Sequence, residues 1–510
     1  MTTATSARAQ EPRGWEKQNR SGRSTANRRR SVAVWFVVAL VLVAISVVWI
    51  LATNLRPSYD PFGWLDWGQQ VLAGNFNTYG APSWKPLTFL FTMPYALFGR
   101  NTQMWLWMVT ATASGLAGCL VAGRLAYDLT GPTPGRPWAR WGAALFAGIG
   151  LLGLTGYSQL LMISNSDPMI VTLCLIAVLC AINDRHHLTL LAIFLAGLGR
   201  PELWAFLGLY GVWYFVKDAR VRWLVVVLFI AMPAAWFIVP GLTSQGWLHP
   251  GDLALGSHRA IHGSKIIGVF DRLRRLFAVP VQLTILFALG LTVVRRERAW
   301  LWVAGGAVVW LIVEAAFALH GWSAVIRYLV EPGALLLVLA GAAIGRVLAW
   351  VPPGPRAGGL QFLRLAPVIP IIALLIALIP GAKFRLVVIR YEIRVDRKAK
   401  IELDRLQRVI QAEGGAAAMK SCGQPATLLG YQSELAWVIG ENVGSVSFRP
   451  GKSIGGGKPV VEFKPHDDGW QIRVFNLAPG TAARCRALKR DTTFGGPNPS
   501  PSAKLRVSGG

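Results

Sequence analysis

The 510-residue chain is short of charge, and of acid above all. Only 15% of its residues are Asp, Glu, Lys or Arg, 25 of them acidic against 52 basic, while 53% are hydrophobic. Soluble globular chains carry about 25% charge, so the composition excludes a soluble enzyme of this length and points to a polytopic membrane protein. Cysteine is scarce, with five in all. Cys119, Cys174 and Cys180 fall in apolar runs and read as packing residues, which leaves Cys422 and Cys485 in the polar C-terminal part, able to pair as a disulfide if that part lies outside the cytoplasm. The histidines lack tight metal-ligand spacing, and His249, His258 and His262 read as loop residues rather than zinc ligands. There is no internal repeat, which counts against a transporter built from paired halves. The excess of base, a formal +27, does not indicate nucleic acid as a partner, because the cations sit in short clusters between apolar runs, where they set orientation in a membrane.

Long apolar runs are what the chain has in plenty. Ser31 to Leu55 holds about 25 residues without a charge, enough at ~1.5 Å per residue to cross a ~30 Å hydrocarbon core. Nothing like a signal-peptidase site follows it, so it reads as an anchor that stays. Residues 1–31, ending in Arg28, Arg29 and Arg30, read as a disordered basic cytoplasmic tail. Leu87–Phe98 is short and carries Pro94, so an interfacial helix is expected there, with Thr102–Leu125 as the return crossing. Further spans near Trp141–Gly156, Pro168–Ile182, Leu188–Gly199, Pro201–Val216, Trp223–Leu242, Val279–Val294, Trp300–Leu319, Pro332–Val351 and Pro367–Pro380 put the clusters around Arg124–Arg140, Arg185, Lys217–Arg222, Arg295–Arg298 and Arg346–Arg364 on one face.

The expected fold is therefore an all-α polytopic membrane protein of about 11 transmembrane helices with outer-face interfacial helices. Its N-terminus is cytoplasmic and its C-terminus extracytoplasmic, in the plasma membrane of a cell whose Ala-, Gly-, Trp- and Arg-rich usage fits a high-GC bacterium such as an actinobacterium. Leu188–Gly199 is too short for a bilayer of ordinary thickness, which predicts a recessed outer surface there. The membrane domain spans residues 32–382. From Lys383 hydropathy collapses, and residues 383–492 read as a small α+β extracytoplasmic domain. In it Ile401, Leu403, Leu406 and Ile410 lie near one helical face, and "KPVVEFKP" and "GWQIRVFNL" read as strands. Residues 493–510 read as disordered.

On this topology the outer face collects Asp60, Asp66, Lys85, Asp167, Arg200, Glu202, His249, Asp252, His258, Arg259, His262, Lys265, Arg327, Tyr328 and Glu331, while the inner face collects mainly orienting cations. Ionised groups beside hydrocarbon cost at least a few kcal/mol and mark either solvated loop ends or working sites. Acids suited to base or metal duty facing cations suited to an anionic ligand favour an outward-opening site.

The segment "YDPFGWLDWGQQVLAGNFNTYGAPSWKPLTFLF" resembles the first outer loop of the GT-C glycosyltransferases, polytopic enzymes that use polyprenyl-phosphate sugars, and the resemblance covers roughly the first 350 residues. It implies a catalytic role for Asp60, with Asp66 matching a second acid of the mannosyltransferase branch. "SNSDP" looks like the family's outer-loop Asp-Pro, implying a metal or positioning role for Asp167. "GLGRPELW" and "RYLVEP" imply donor-phosphate contacts by Arg200 and Arg327, with Lys85 as a further phosphate ligand. Glu202, His258, His262 and Tyr328 fall to positioning or acceptor binding. Where many relatives have Asp-Glu this chain has Asp60-Pro61, which leaves a divalent cation (Mg or Mn, on Asp60 and Asp167) as an open expectation. The resemblance implies an inverting hexosyl- or pentosyltransferase. Its partners would be a polyprenyl-phosphate sugar donor, membrane lipids and an envelope glycan, glycolipid or protein acceptor, with cell wall biogenesis as the setting.

Each residue also has a plainer reading. Asp60 and Asp66 are then solvated loop acids, Asp167 a helix start before Pro168, Arg200 with Glu202 and Arg327 with Glu331 structural ion pairs. Glu314, inside a span, is expected to be functional or hydrogen-bonded. A flippase or transporter for a lipid-linked or anionic solute is the alternative reading of the whole.

Overall fold

A backbone in hydrocarbon must satisfy every N–H and C=O within its own segment, and the apolar runs accordingly fold as helices. The computed structural model describes residues 14–80, 82–244, 246–248, 251–252, 255, 259–350, 368–412, 414–466, 469–477 and 485. Six helices among them are long and apolar enough to cross a membrane: Ala33–Thr53, Arg100–Thr130, Ala219–Thr243, Arg298–Leu319, Ile326–Ala349 and Val368–Ala412. A seventh is reached if Lys265–Arg274 and Val279–Arg295, bent 109° apart, form one span.

The expected eleven crossings are not confirmed. Asp167–Ile182, His186–Gly197 and Leu203–Lys217 are helical and apolar as expected but shorter, because hydropathy records apolar character whereas a crossing needs length. Pro86–Ala96, of 11 residues, is the short helix expected at Leu87–Phe98; at ~1.5 Å per residue it reaches only about half way across a bilayer core. Residues 14–31 of the expected disordered tail are helical instead, continuing into the first span as one helix, Gly14–Thr53. Once the apolar run has nucleated a helix, Glu, Lys, Arg and Gln propagate it at little cost. Residues 1–13, the Arg356/Arg364 segment and residues 493–510 lie outside the described residues.

The Ile326–Ala349 span is the centre of the bundle, with 83% of its most apolar window buried. It approaches its neighbours through small residues, as membrane helices do: a Cβ at Gly341 would stand 2.9 Å from the Ala143 carbonyl oxygen, and one at Gly345 2.5 Å from Thr130 Oγ1. Pro233 interrupts the Ala219–Thr243 span, and a π-helical turn, Ala234–Ile238, follows it. The Ala235 carbonyl in that turn accepts from Trp84 Nε1 at 3.1 Å, so an irregular backbone becomes an anchor for the loop before Pro86–Ala96.

The last helix runs unbroken for 45 residues, Val368–Ala412, so no linker marks the boundary expected near Lys383. Its end joins a small domain holding a three-stranded sheet in the order β1 (Gln424–Ala426), β2 (Val460–His466), β3 (Gly469–Phe475), with β1–β2 parallel and β2–β3 antiparallel. Leu403, Leu406 and Ile410 are buried as expected, but Ile401 is exposed; the buried stripe runs through 403, 406 and 410, which leaves 401 off its edge. Cys422 and Cys485 form the expected disulfide. It closes a long loop onto a domain with a small core, so replacing both cysteines with serine should lower that domain's stability by about 2–4 kcal/mol. Differential scanning fluorimetry with and without reductant measures this, and equal melting in both conditions would contradict it.

Candidate functional site

Asp60 lies in the first turn of the Tyr59–Leu72 helix, whose entry is fixed by Ser58 N–H donating to the Ile163 carbonyl at 3.2 Å. Tryptophans lock the segment in place. Trp64 Nε1 donates to the Ser83 carbonyl at 2.9 Å, Trp107 Nε1 to the Ser164 carbonyl at 3.0 Å, and the Trp64 and Trp107 rings meet edge-on at 5.6 Å. Gly68 permits a close helix contact, since a Cβ there would fall 2.5 Å from the Thr92 carbonyl oxygen. Ser164 (φ 56°) and Ala324 (φ 44°) hold left-handed backbone conformations that non-glycine residues rarely adopt, in the chain just before Asp167 and Arg327.

Four acids and three cations converge here from five chain segments. Arg200 is at the centre and sealed from water. Its Nη2 donates to Asp167 Oδ1 at 2.7 Å and to the Arg327 carbonyl at 3.1 Å, its Nη1 to Glu202 Oε1 at 3.4 Å, and its Nε forms an ion pair with Glu331 Oε1 at 3.0 Å. Lys85 Nζ donates to Ser166 Oγ at 3.0 Å and Asp167 Oδ1 at 3.3 Å. Burial holds the Lys85 ammonium below its usual pKa, with Asp167 opposing and Arg200 and Arg327 reinforcing that shift. The Tyr328 ring lies 4.4 Å from the Arg200 guanidinium and 5.3 Å from that of Arg327. At the accessible edge, Arg327 Nη1 donates to Asp60 Oδ2 at 3.3 Å, and Asp60 Oδ1 accepts from the Ser83 N–H at 3.3 Å.

Exposure sorts the cluster. The side chains of Arg200, Asp167, Glu202 and Glu331 are at most 3% exposed, whereas Asp60 is 14% and Arg327 28% exposed. Lys85 and Arg200, expected to grip a donor phosphate, are committed to buried carboxylates instead, and Arg327 alone of the three cations faces water. Asp167 does open the Asp167–Ile182 helix just before Pro168, as its plainer reading has it, but its carboxylate makes no cap and goes to Lys85 and Arg200. The Arg200–Glu202 pair forms, but Arg327 and Glu331 do not pair with each other; they take Asp60 and Arg200 respectively.

Asp66 departs most from expectation. It is buried and takes no part in this cluster: its Oδ2 accepts from Gln70 Nε2 at 3.0 Å and from the backbone N–H of Val443, in the C-terminal domain, at 2.9 Å, while Arg100 Nη2 lies 4.0 Å from Oδ1. Six residues put it on a different face of the helix from Asp60. His262 is exposed, with no contact among the described residues tying it to the cluster, and His249 and His258 lie outside the described residues. Glu314 is buried, with Oε2 lacking a hydrogen-bond partner among the described residues.

The divalent-cation expectation meets a poor donor set. Asp60 is taken by Arg327 and Asp167 by Lys85 and Arg200, and the described residues hold no group of three or more metal-binding side chains. These residues do not form a cage for Mg or Mn. Sequence reasoning missed Ser166, which completes the Lys85 site; a serine beside an aspartate carried no signal of its own.

Two crystal structures of ArnT from Cupriavidus metallidurans are similar to this chain. The one bound to undecaprenyl phosphate has 18% identity and a TM-score of 0.49 and covers 84% of this chain and 93% of that one. The apo structure has 16% identity and a TM-score of 0.49 and covers 86% and 94%. No protein-family profile matches the chain, and no curated protein does.

Arg200→Gln leaves buried carboxylates unpaired and should cost about 3–5 kcal/mol, read as a lowered melting temperature in detergent; Arg200→Lys should not restore it, because donors on a single nitrogen cannot span the three carboxylates and the Arg327 carbonyl that the guanidinium fork reaches. An unchanged melting temperature in Arg200→Gln would refute the assignment. Burial, countered by Arg100 and by the Gln70 and Val443 hydrogen bonds, pushes Asp66 up from 3.8 to about 7. An acid with a raised native pKa stabilises the docked state most below about pH 4, and that contribution is lost as pH rises to about 7. Hydrogen exchange at the Val443 amide should therefore speed up between pH 5 and 8, after correction for intrinsic exchange, and Asp66→Asn should flatten that change; identical profiles would contradict it.

Proposed function

We propose that the chain is a membrane glycosyltransferase, moving a sugar from a polyprenyl-phosphate donor to a hydroxyl of an envelope glycan, lipid or protein on the extracytoplasmic side. The observation that supports this reading is the Asp60–Arg327 pair: one carboxylate and one guanidinium, both reachable from water, held at the edge of an otherwise sealed ion network. Sugar transfer from a phosphate needs those two functions in one site, flanking the anomeric carbon. An ionised Asp60 takes the proton from the attacking hydroxyl as it bonds to the anomeric carbon. Arg327 faces the phosphate oxygen that gains negative charge as the glycosidic C–O bond breaks, and its fork suits a phosphate. A separation of 3.3 Å leaves no room for a sugar ring, so the bound substrates must part the pair, with the anomeric carbon between base and phosphate. That arrangement is the one inversion requires.

The sealed residues supply position. Arg200 holds Arg327 by its backbone carbonyl, and Tyr328 packs against both guanidiniums. The spans provide the apolar walls along which a polyprenyl tail lies. No step is assigned to a metal ion, because Asp60 and Asp167 are each engaged by cationic side chains.

The test is transfer from a radiolabelled polyprenyl-phosphate sugar in membranes expressing each variant. Asp60→Asn should lose about 10²- to 10⁴-fold in turnover, the usual worth of a general base, while Asp66→Asn, removed from the cluster, should keep most of it. Full activity in Asp60→Asn would end the base assignment, and movement of intact labelled lipid across vesicles without cleavage would favour a flippase.

A further inference from the structure

We infer that the chain carries a second anion site, separate from the Asp60 cluster, which binds the phosphate-bearing head group of a membrane lipid. A cavity of about 420 Å³ lies between the membrane bundle and the C-terminal domain, lined by Arg56, Arg100, Asn101, Gln407 and the Trp437–Gly440 segment. Every charged side chain lining it is a cation. The acids that balance them, Asp404 on Arg56 at 2.5 Å and Asp66 near Arg100 at 4.0 Å, do not line the cavity. Arg100 is held in place rather than spent: Nη2 donates to the Trp437 carbonyl at 2.8 Å and the guanidinium lies 4.3 Å from the Trp437 ring centroid. Two fixed guanidiniums on a wall without carboxylates are the arrangement that recognises a phosphate.

Location decides between a lipid and a soluble anion. Arg56 follows the first span by three residues, and Arg100 opens the Arg100–Thr130 span directly after Leu97 and Phe98, two large apolar side chains that are 68% and 64% exposed. Both cations therefore stand where the hydrocarbon surface of the bundle ends, at head-group depth. The volume falls within the range of small-molecule sites and exceeds the needs of a lone phosphate. Trp437 and Gly440 close it from the C-terminal domain, so a bound head group touches both parts of the molecule.

Purified full-length protein in nanodiscs of neutral phosphatidylcholine, doped with phosphatidylglycerol, tests the assignment by native mass spectrometry of retained lipid. The wild type should retain phosphatidylglycerol over phosphatidylcholine, and Arg56→Gln/Arg100→Gln should weaken that retention by about 10- to 100-fold, the worth of one to two charge-assisted contacts. Asn101→Trp, which leaves both arginines and fills the cavity from an exposed position, should do the same with an unchanged melting temperature, so a folding defect in the double variant does not decide the result. Wild-type retention in both variants would overturn the inference. Equal competition by water-soluble glycerol phosphate would overturn the lipid assignment. Because binding is read without turnover, the outcome is independent of the Asp60 base assignment.

Discussion

One buried guanidinium organises the charged side of this molecule. Arg200 reaches Asp167 at the start of one helix, Glu331 at the start of another, Glu202 in its own turn and the backbone of Arg327. Taking such charges out of water costs several kcal/mol per ion, recovered only when partners are close and well directed. The network meets that condition on one side and strains it on the other, since Asp167 Oδ2, Glu202 Oε2 and Glu331 Oε2 have no hydrogen-bond partner among the described residues. The accessible Asp60–Arg327 pair sits at the edge of this network, and Arg200 fixes the Arg327 backbone through its carbonyl.

Much of this was legible in the sequence because it depends on residue type and order. Polar residues that must share a membrane face come together when the spans are threaded, and Asp60, Lys85, Asp167, Arg200, Arg327 and Glu331 did. Helix positions were legible wherever apolar runs met Pro or Gly, as at Pro86 and Pro168. The partition of roles was not. Nothing in "GLGRPELW" or "SWKPL" tells that Arg200 and Lys85 spend their charge on internal carboxylates, because burial is a property of neighbours distant in sequence. Span number failed for a similar reason: a run of apolar residues reads alike whether it crosses a bilayer or packs as a short helix between others.

Asp66 shows the same limit from the other direction. Its flanking residues made it a partner for Asp60, yet the Val443 amide, 377 positions away, claims it. Around that bond gather Arg100 on the Trp437 carbonyl, Asn442 on the Asn75 carbonyl at 3.2 Å and the Phe62–Trp437 ring pair at 5.8 Å. The short helix that bears Asp60 is thus clasped between the bundle and the C-terminal domain, and the domain acts on the site by fixing that helix rather than by contributing to the ion cluster.

The 45-residue helix Val368–Ala412 has a mechanical consequence. At ~1.5 Å per residue it is about 68 Å long, more than twice a hydrocarbon core. Arg397, well along it, donates to the Thr53 and Ala52 carbonyls at 2.6 and 2.8 Å, bracing it against the end of the first span. The stretch beyond Arg397 carries the sheet domain, so the seam at which Val443 meets Asp66 is built on a helix whose direction is set where it leaves the first span.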